Sequence, residues 1–481
     1  MLKKQQAVNV TKLKSQLRAK NAENRKLRQR NRELVASNRH QRGKVKKLRR
    51  QAAQALSPVR ASQACRVSGE EVAGHKYELS LMSLCVGLYV WGGCSLRGVV
   101  RVLLCFQMEM GPKWKELPSK SSVENWVQKL GHYEYSSYGP GLYETEYCLI
   151  IDESMVIGQQ RMMLVLGLPA EKTVRGAIGA ADVRVLGMEV RPSWAGDDIA
   201  EMLQKVQEKM GKRACYIISD GNSNLKNGIE KAAMVRIGDV GHEIARALEH
   251  AYKPDETFNA FMKEVAQVKF REAMKETAYL LPPKQRTIAR FMNLSPVFEW
   301  ATKMLKAFPR LSAYEQQVFG FLKQYCPLIA QMESVFRMTQ SILKKLKQEG
   351  IAARTIEECL AICRQFAKNV PQKLSKLIEA YLNATKSKLP KESAVWNASS
   401  DVIESLFGKY KNLKASNNLH GVTPLALTLC VITQFGDEDA PALKAEINQA
   451  MNKVSMADLK KWKTTHLPEN QVLRRNKTLK I

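Results

Sequence analysis

The chain has 481 residues, 45% hydrophobic and 25% charged, which suits a globular protein of several domains and excludes a disordered or fibrous one. A formal net charge of +30 argues for nucleic acid as the partner. Nothing resembles a signal peptide, and the apolar run 79–90 is far shorter than the roughly 20 residues that span a bilayer, so no membrane is expected and a reducing compartment is: cytoplasm or nucleoid in a prokaryote, nucleus in a eukaryote.

Residues 1–50 carry 18 Lys and Arg against only Glu23 and Glu33, so over half of the net charge lies there. A heptad runs through 8–50, with Val10, Leu17, Asn24, Asn31, Asn38 and Val45 at a and Leu13, Lys20, Leu27, Leu34, Gln41 and Leu48 at d. Asparagine at a costs stability but fixes register and favours parallel pairing. Residues 1–55 are expected to be a basic coiled-coil arm lying along phosphates; a solvated single helix or a disordered tail is the alternative. A linker follows over 51–74. Three helices are expected over 77–91, 96–106 and 123–130, with Ser95 capping the second and Ser119 or Ser121 the third. Within 75–135 they suit a helix-turn-helix whose last helix offers Ser122, Asn125, Gln128 and Lys129 to a groove of DNA; an ordinary small helical subdomain is the alternative.

From 147 the period changes. Strands are expected over 147–152, 161–168 and 183–191, then a helix over 197–210, a strand over 214–219, a helix over 222–232 and a strand over 234–237. The order is β-β-β-α-β-α-β. Residues 246–392 give no strand signal and read as an all-α block, in which Cys359 and Cys363 are buried thiols rather than metal ligands. A capped helix starts near Asn397–Asp401, with Val402, Ile403, Leu406 and Phe407 on its apolar face, Glu404 among them, and Lys409, Lys411 and Lys414 after it. Residues 437–481 read as a helical tail, basic at Arg474, Arg475, Lys477 and Lys480.

Asp152 ends the apolar run Tyr147–Ile151, and Asp220 ends the run Ala214–Ser219. A carboxylate at the end of a buried strand is costly unless something binds it, and ligand sites of α/β sheets collect at strand carboxyl ends. Two such aspartates argue for a hard cation with oxygen ligands, Mg²⁺ or Mn²⁺. Two metal ions can clamp the attacking and leaving oxygens of a phosphodiester displacement, and three carboxylates can hold them. Asp152 is the bridging candidate, with Asp220 and Glu404 flanking; Glu392, Glu357 and Glu358 compete with Glu404. Each also has a plain reading as a turn residue, a cap or a solvated helix residue. Asp239 and His242 make a second signal, since His242 could orient a carboxylate or contact a phosphate. Trp194, Trp300 and Trp396 are core residues or platforms for an unpaired base.

At Ile151-Asp152-Glu153, Ser219-Asp220-Gly221, Asp239-Val240-Gly241-His242 and Asp401-Val402-Ile403-Glu404 the chain resembles a DDE/D transposase of the RNase H-like superfamily. It is most similar to the group with an all-helical insertion, as in hAT and Mutator-like elements. The resemblance covers roughly 77–430. It implies an α/β fold whose RNase H-like core, 145–245 and 393–436, is split by the insertion 246–392, with the first and fourth strands neighbours. It also implies two Mg²⁺ or Mn²⁺ ions on Asp152, Asp220 and Glu404, with Asp239 and His242 as the Asp-x-x-His motif. Lys409 and Lys411 would hold phosphate. The expected partner is double-stranded DNA, as terminal inverted repeats and target, bound by a homodimer or higher oligomer. Another RNase H-like nuclease or resolvase, or a non-catalytic DNA-binding regulator, are the alternatives.

Overall fold

The computed structural model describes Gln29 and residues 71–157, 160–172, 176–284, 291, 294–390, 394–413, 421–436, 439–469 and 471–479. The chain divides into two compact units, Met1–Ser68 and Gly69–Ile481. Of the first, only Gln29 is described, with helical backbone, so the expected coiled-coil arm lies outside the described residues.

The second unit is mixed α/β with one five-stranded sheet. It opens with α1 (Leu79–Val90), α2 (Leu96–Met110) and α3 (Lys120–Ser137). Ser95 and Ser119 cap α2 and α3 by accepting the amides of Gly98 and Ser122 at 3.0 and 3.1 Å. Strands β1 (Tyr147–Ile157), β2 (Gln160–Pro169) and β3 (Arg184–Arg191) form an antiparallel meander. Then come α4 (Gly196–Met210), β4 (Ile217–Ser219), α5 (Ser223–Lys231), β5 (Arg236–Gly238) and α6 (Val240–Tyr252). The order across the sheet is β3-β2-β1-β4-β5, with β4 parallel to both its neighbours. The helical block comprises α7 (Glu256–Glu272), α8 (Ser295–Ala307), α9 (Ala313–Phe319), α10 (Cys326–Glu349), α11 (Ala353–Phe366) and α12 (Gln372–Lys386). The chain then forms α13 (Asp401–Leu413), α14 (Thr428–Gln434), α15 (Ala440–Lys453), α16 (Met456–His466) and α17 (Gln471–Thr478). Among the described residues no helix is long and apolar enough to cross a membrane.

Side chains alternate along a strand, so β1 serves two layers. Tyr147, Leu149 and Ile151 pack with Ile199, Met202 and Leu203 of α4 and Leu225 and Ile229 of α5. Cys148 and Ile150 face the other way, into a core shared with α6, the helical block and α13. The sheet and the helical block therefore share one hydrophobic interior, and Cys359 and Cys363 lie buried in it.

The three N-terminal helices depart from the helix-turn-helix reading. Their core is completed by Val431 of α14 and by Leu443, Ile447, Ala450 and Met451 of α15, so residues 440–453 are part of the packing. Helix α3 buries Val123, Trp126, Val127 and Leu130 against these neighbours and keeps Ser122, Asn125 and Gln128 partly exposed. Gly131 shows how closely the helix packs: a Cβ there would overlap the backbone carbonyl of Leu427. Gly131→Ala adds about 1 kcal/mol of helix propensity, but the overlap is with backbone and forces α3 and the 424–427 turn apart. A net loss of about 2 kcal/mol in urea unfolding is the expected result.

Glu134 of α3 is 2% exposed, its Oε1 has no hydrogen-bond partner, and its Oε2 accepts only a long 3.5 Å bond from Tyr138. Burial, aided by the charge of Glu446 and opposed by Arg184, pushes its carboxyl up to about 8. An acid whose folded pKa is raised contributes stability that is fully present below the unfolded value and is lost as pH rises to the folded one. Unfolding free energy should therefore fall between pH 4.5 and about 8. Glu134→Gln removes this contribution to the fall and leaves the variant more stable at pH 8.5 by about 3 kcal/mol.

Candidate active site

The parallel ladder of β1 and β4 pairs Leu149 with Ile217, Ile150 with Ile218 and Ile151 with Ser219. Asp152 and Asp220 are the next residue on each strand, so they leave the ladder side by side. Both are in phase with Ile150 and Ile218, on the face that looks toward α6 and α13. The apolar run had suggested that β1 stops at Asp152. It continues to Ile157 because β2 goes on pairing with it after β4 has ended, so Asp152 sits in mid-strand.

Burial, and then the charge of Asp220, push the Asp152 carboxyl up to about 7, against the Glu153 amide that donates to it at 2.8 Å and the nearby His242. Asp220 accepts the Asn222 amide at 2.8 Å, which folds the loop back on itself. The Arg246 guanidinium lies where a Cβ at 221 would stand, so the loop packs directly against it. Arg236 clamps the same loop, donating to the Asp220 carbonyl at 2.6 Å and to Ser219 Oγ at 2.9 Å, while Glu243 pairs with both Arg236 and Arg246 at 3.2 Å. These three residues were missed in the sequence; their signal was a Glu/Arg pair three apart at the start of a helix that opens on Asp-x-x-His.

Asp239 is 1% exposed and satisfies two helices at once. Its Oδ1 caps α6, accepting from the His242 amide at 2.8 Å and from His242 Nδ1 at 3.0 Å. Its Oδ2 accepts from the Ser400 amide at 2.6 Å and the Ser400 hydroxyl at 3.0 Å, just before α13. Burial works to raise this carboxyl, but the bonds from His242 and Ser400 prevail and hold it at about 2. The bond to Asp239 in turn lifts His242 to about 9, against burial, so the ring is an imidazolium at neutral pH. Its Nε2 stands 3.6 Å from a carboxylate oxygen of Glu404. Burial raises the Glu404 carboxyl although the side chain is 49% exposed, and His242 opposes the shift.

The four groups thus share one face, as an aspartate pair and a His–Glu pair. Among the described residues no three His, Cys, Asp or Glu side chains stand together in metal-ligating geometry. The donor set is nevertheless of hard-cation type, carboxylate oxygens with no lysine or arginine paired to Asp152. Of the competing glutamates, Glu357 is paired with Lys386 and Glu358 with Lys345, and Glu392 lies outside the described residues. The helical block braces the site: Tyr381 donates to the Gly238 carbonyl at 3.0 Å, Lys388 to the Arg236 carbonyl at 2.8 Å, and Lys347 pairs with Asp401.

Lys409 and Lys411 are exposed on α13, and Lys411 shares a helical stripe with Glu404 and Gly408. Of the groove-binding set expected on α3, Lys129 is 9% exposed, Ser122 meets the cap residue Ser119 at 3.0 Å on the surface, and Asn125 and Gln128 are partly exposed. Trp194 and Trp396 are core residues, the first donating to the Arg161 carbonyl and the second stacked on Tyr216 at 4.1 Å. Trp300 is partly buried and donates to the Leu280 carbonyl. Neither a protein-family model nor a curated protein matches the chain, so its function is read from the site's own chemistry.

Proposed function

We propose that the chain is a DNA transposase of the DDE kind, with an RNase H-like core interrupted by the helical block. The observation that carries the reading is the pairing of Asp152 with Asp220 where the β1–β4 ladder ends, on the face shared with His242 and Glu404. The strand order β3-β2-β1-β4-β5 supports it as well. Asp152 and Asp220 would hold Mg²⁺ or Mn²⁺, with Glu404 as third ligand once it turns from His242. Bound there, such ions activate a nucleophile and stabilise the leaving 3′ oxygen. His242 presents a positive charge to a phosphate beside the carboxylates. Asp239 fixes that ring and the start of α13 together, so the acid and the base of the site move as one. Lys411 extends the positive surface along α13.

The test is cleavage and joining of end-labelled duplexes taken from the DNA that flanks the gene on either side, with Mg²⁺, with Mn²⁺ and with chelator. Metal-dependent 3′-OH ends followed by joined products support the transposase. Cutting without joining favours a nuclease or resolvase, and binding without cutting favours a regulator.

A further inference from the structure

A cleft of about 520 Å³ opens between the edge strand β3 and helices α3, α4 and α16, two strands along the sheet from β1. One wall is aromatic. Trp462 and His466, one turn apart on α16, stack with ring centres 5.0 Å apart, and Tyr135 meets both edge-on. Trp462 is 4% exposed, yet its indole N–H has no hydrogen-bond partner.

The remaining lining is cationic. Lys461 is exposed, Lys205 is exposed and pairs with Glu201 at 2.8 Å across the surface of α4, and Lys209 lies 4.4 Å from the centre of the Tyr135 ring while donating to the Tyr135 carbonyl. The two acids of the cleft are engaged elsewhere: Glu189 pairs with Arg191 at 3.3 Å, and Asp458 accepts the amide and hydroxyl of Ser455 at 2.8 and 2.7 Å.

We infer that this cleft binds a nucleotide unit, its planar base against the rings and its phosphate between Lys205 and Lys461. Aromatic rings beside lysines are the chemistry that holds an unpaired nucleotide, because every base has a π face and every phosphate a charge. The volume falls in the range of small-ligand sites. The unit can arrive as a free mononucleotide or within an unpaired strand. The site is separate from the carboxylates and does not depend on their chemistry.

The test uses the full chain with two probes, adenosine monophosphate and a short oligodeoxyadenylate, and compares wild type with Lys205→Gln/Lys461→Gln. Both lysines are on the surface, and circular dichroism verifies folding of the variant. The variant is expected to bind the strand about tenfold more weakly, with a salt slope shallower by about 0.7, for the one phosphate the two lysines hold. Photo-cross-linking of a bromouracil-bearing strand to wild type should label α16 or Tyr135. Competition by the mononucleotide assigns the site to free nucleotides, and its failure assigns it to strands. Unchanged affinity and salt slope in the variant, with cross-links outside α3 and α16, overturn the proposal.

Discussion

Asp152→Ala and Asp220→Ala are each expected to lower strand cleavage by about 10⁴-fold while duplex binding persists. The magnitude follows from what two adjacent carboxylates do: losing several kcal/mol of electrostatic stabilisation, at about 1.36 kcal/mol per tenfold, removes nearly all turnover. Because the pair acts as a unit, the double variant should be no worse than either single one. Glu404→Ala belongs in the same series. Near-wild-type cleavage there, with both aspartates essential, would keep the site on β1 and β4 and reject Glu404 as third ligand. Full activity of Asp152→Ala would reject the site itself. Calorimetric titration with Mn²⁺ gives a second readout, since the aspartate variants should lose metal binding as well as activity.

Asp239→Ala is expected to destabilise the Gly69–Ile481 unit by about 4 kcal/mol, measured by urea unfolding at pH 6. The substitution removes the acceptor of four bonds to His242 and Ser400, and breaking a buried charged network of this kind costs about 3–5 kcal/mol. Asp239, held at about 2, contributes stability present above its unfolded value of 3.8 and lost as pH falls toward 2. His242 works in the opposite sense. Raised to about 9, it contributes stability that is complete below 6.5 and lost as pH rises through 9. The difference between wild type and variant should therefore be greatest between pH 4 and 6.5. In the variant, burial lowers His242 while only the charges of Glu404 and Asp220 still raise it, and a titration by NMR should find its pKa well below about 9. A ring still titrating near 9 would mean that Glu404, not Asp239, holds the charge.

Much of this fold was legible because its elements obey simple periods. The run Tyr147–Ile151 and the run ending in Ser219 could only be buried strands, and the seven-element order from 147 to 237 appears in the structure with ends shifted by a few residues. The aspartates were legible because a charge terminating an apolar run is conspicuous. What failed was anything decided by packing between distant segments. Helix α3 reads as a free helix on its own sequence, and only the return of α14, α15 and the 424–427 turn over it completes its core and makes Gly131 indispensable. Arg236 and Arg246 look like ordinary surface charges until the loop at Gly221 closes against them. Trp462 lies in a weakly amphipathic stretch, and its stack with His466 and Tyr135 forms only when α16 meets α3 and β3.

The bond from Ser400 to Asp239 spans 161 positions of the chain. On a ribosome moving at about 5–20 residues per second, Asp239 emerges roughly 10–30 s before its partner exists. Until then α6 is capped, but nothing holds the segment that carries Glu404. Any activity that depends on all the carboxylates is therefore withheld from unfinished chains, and a transcript truncated within the helical block yields a protein with half a site.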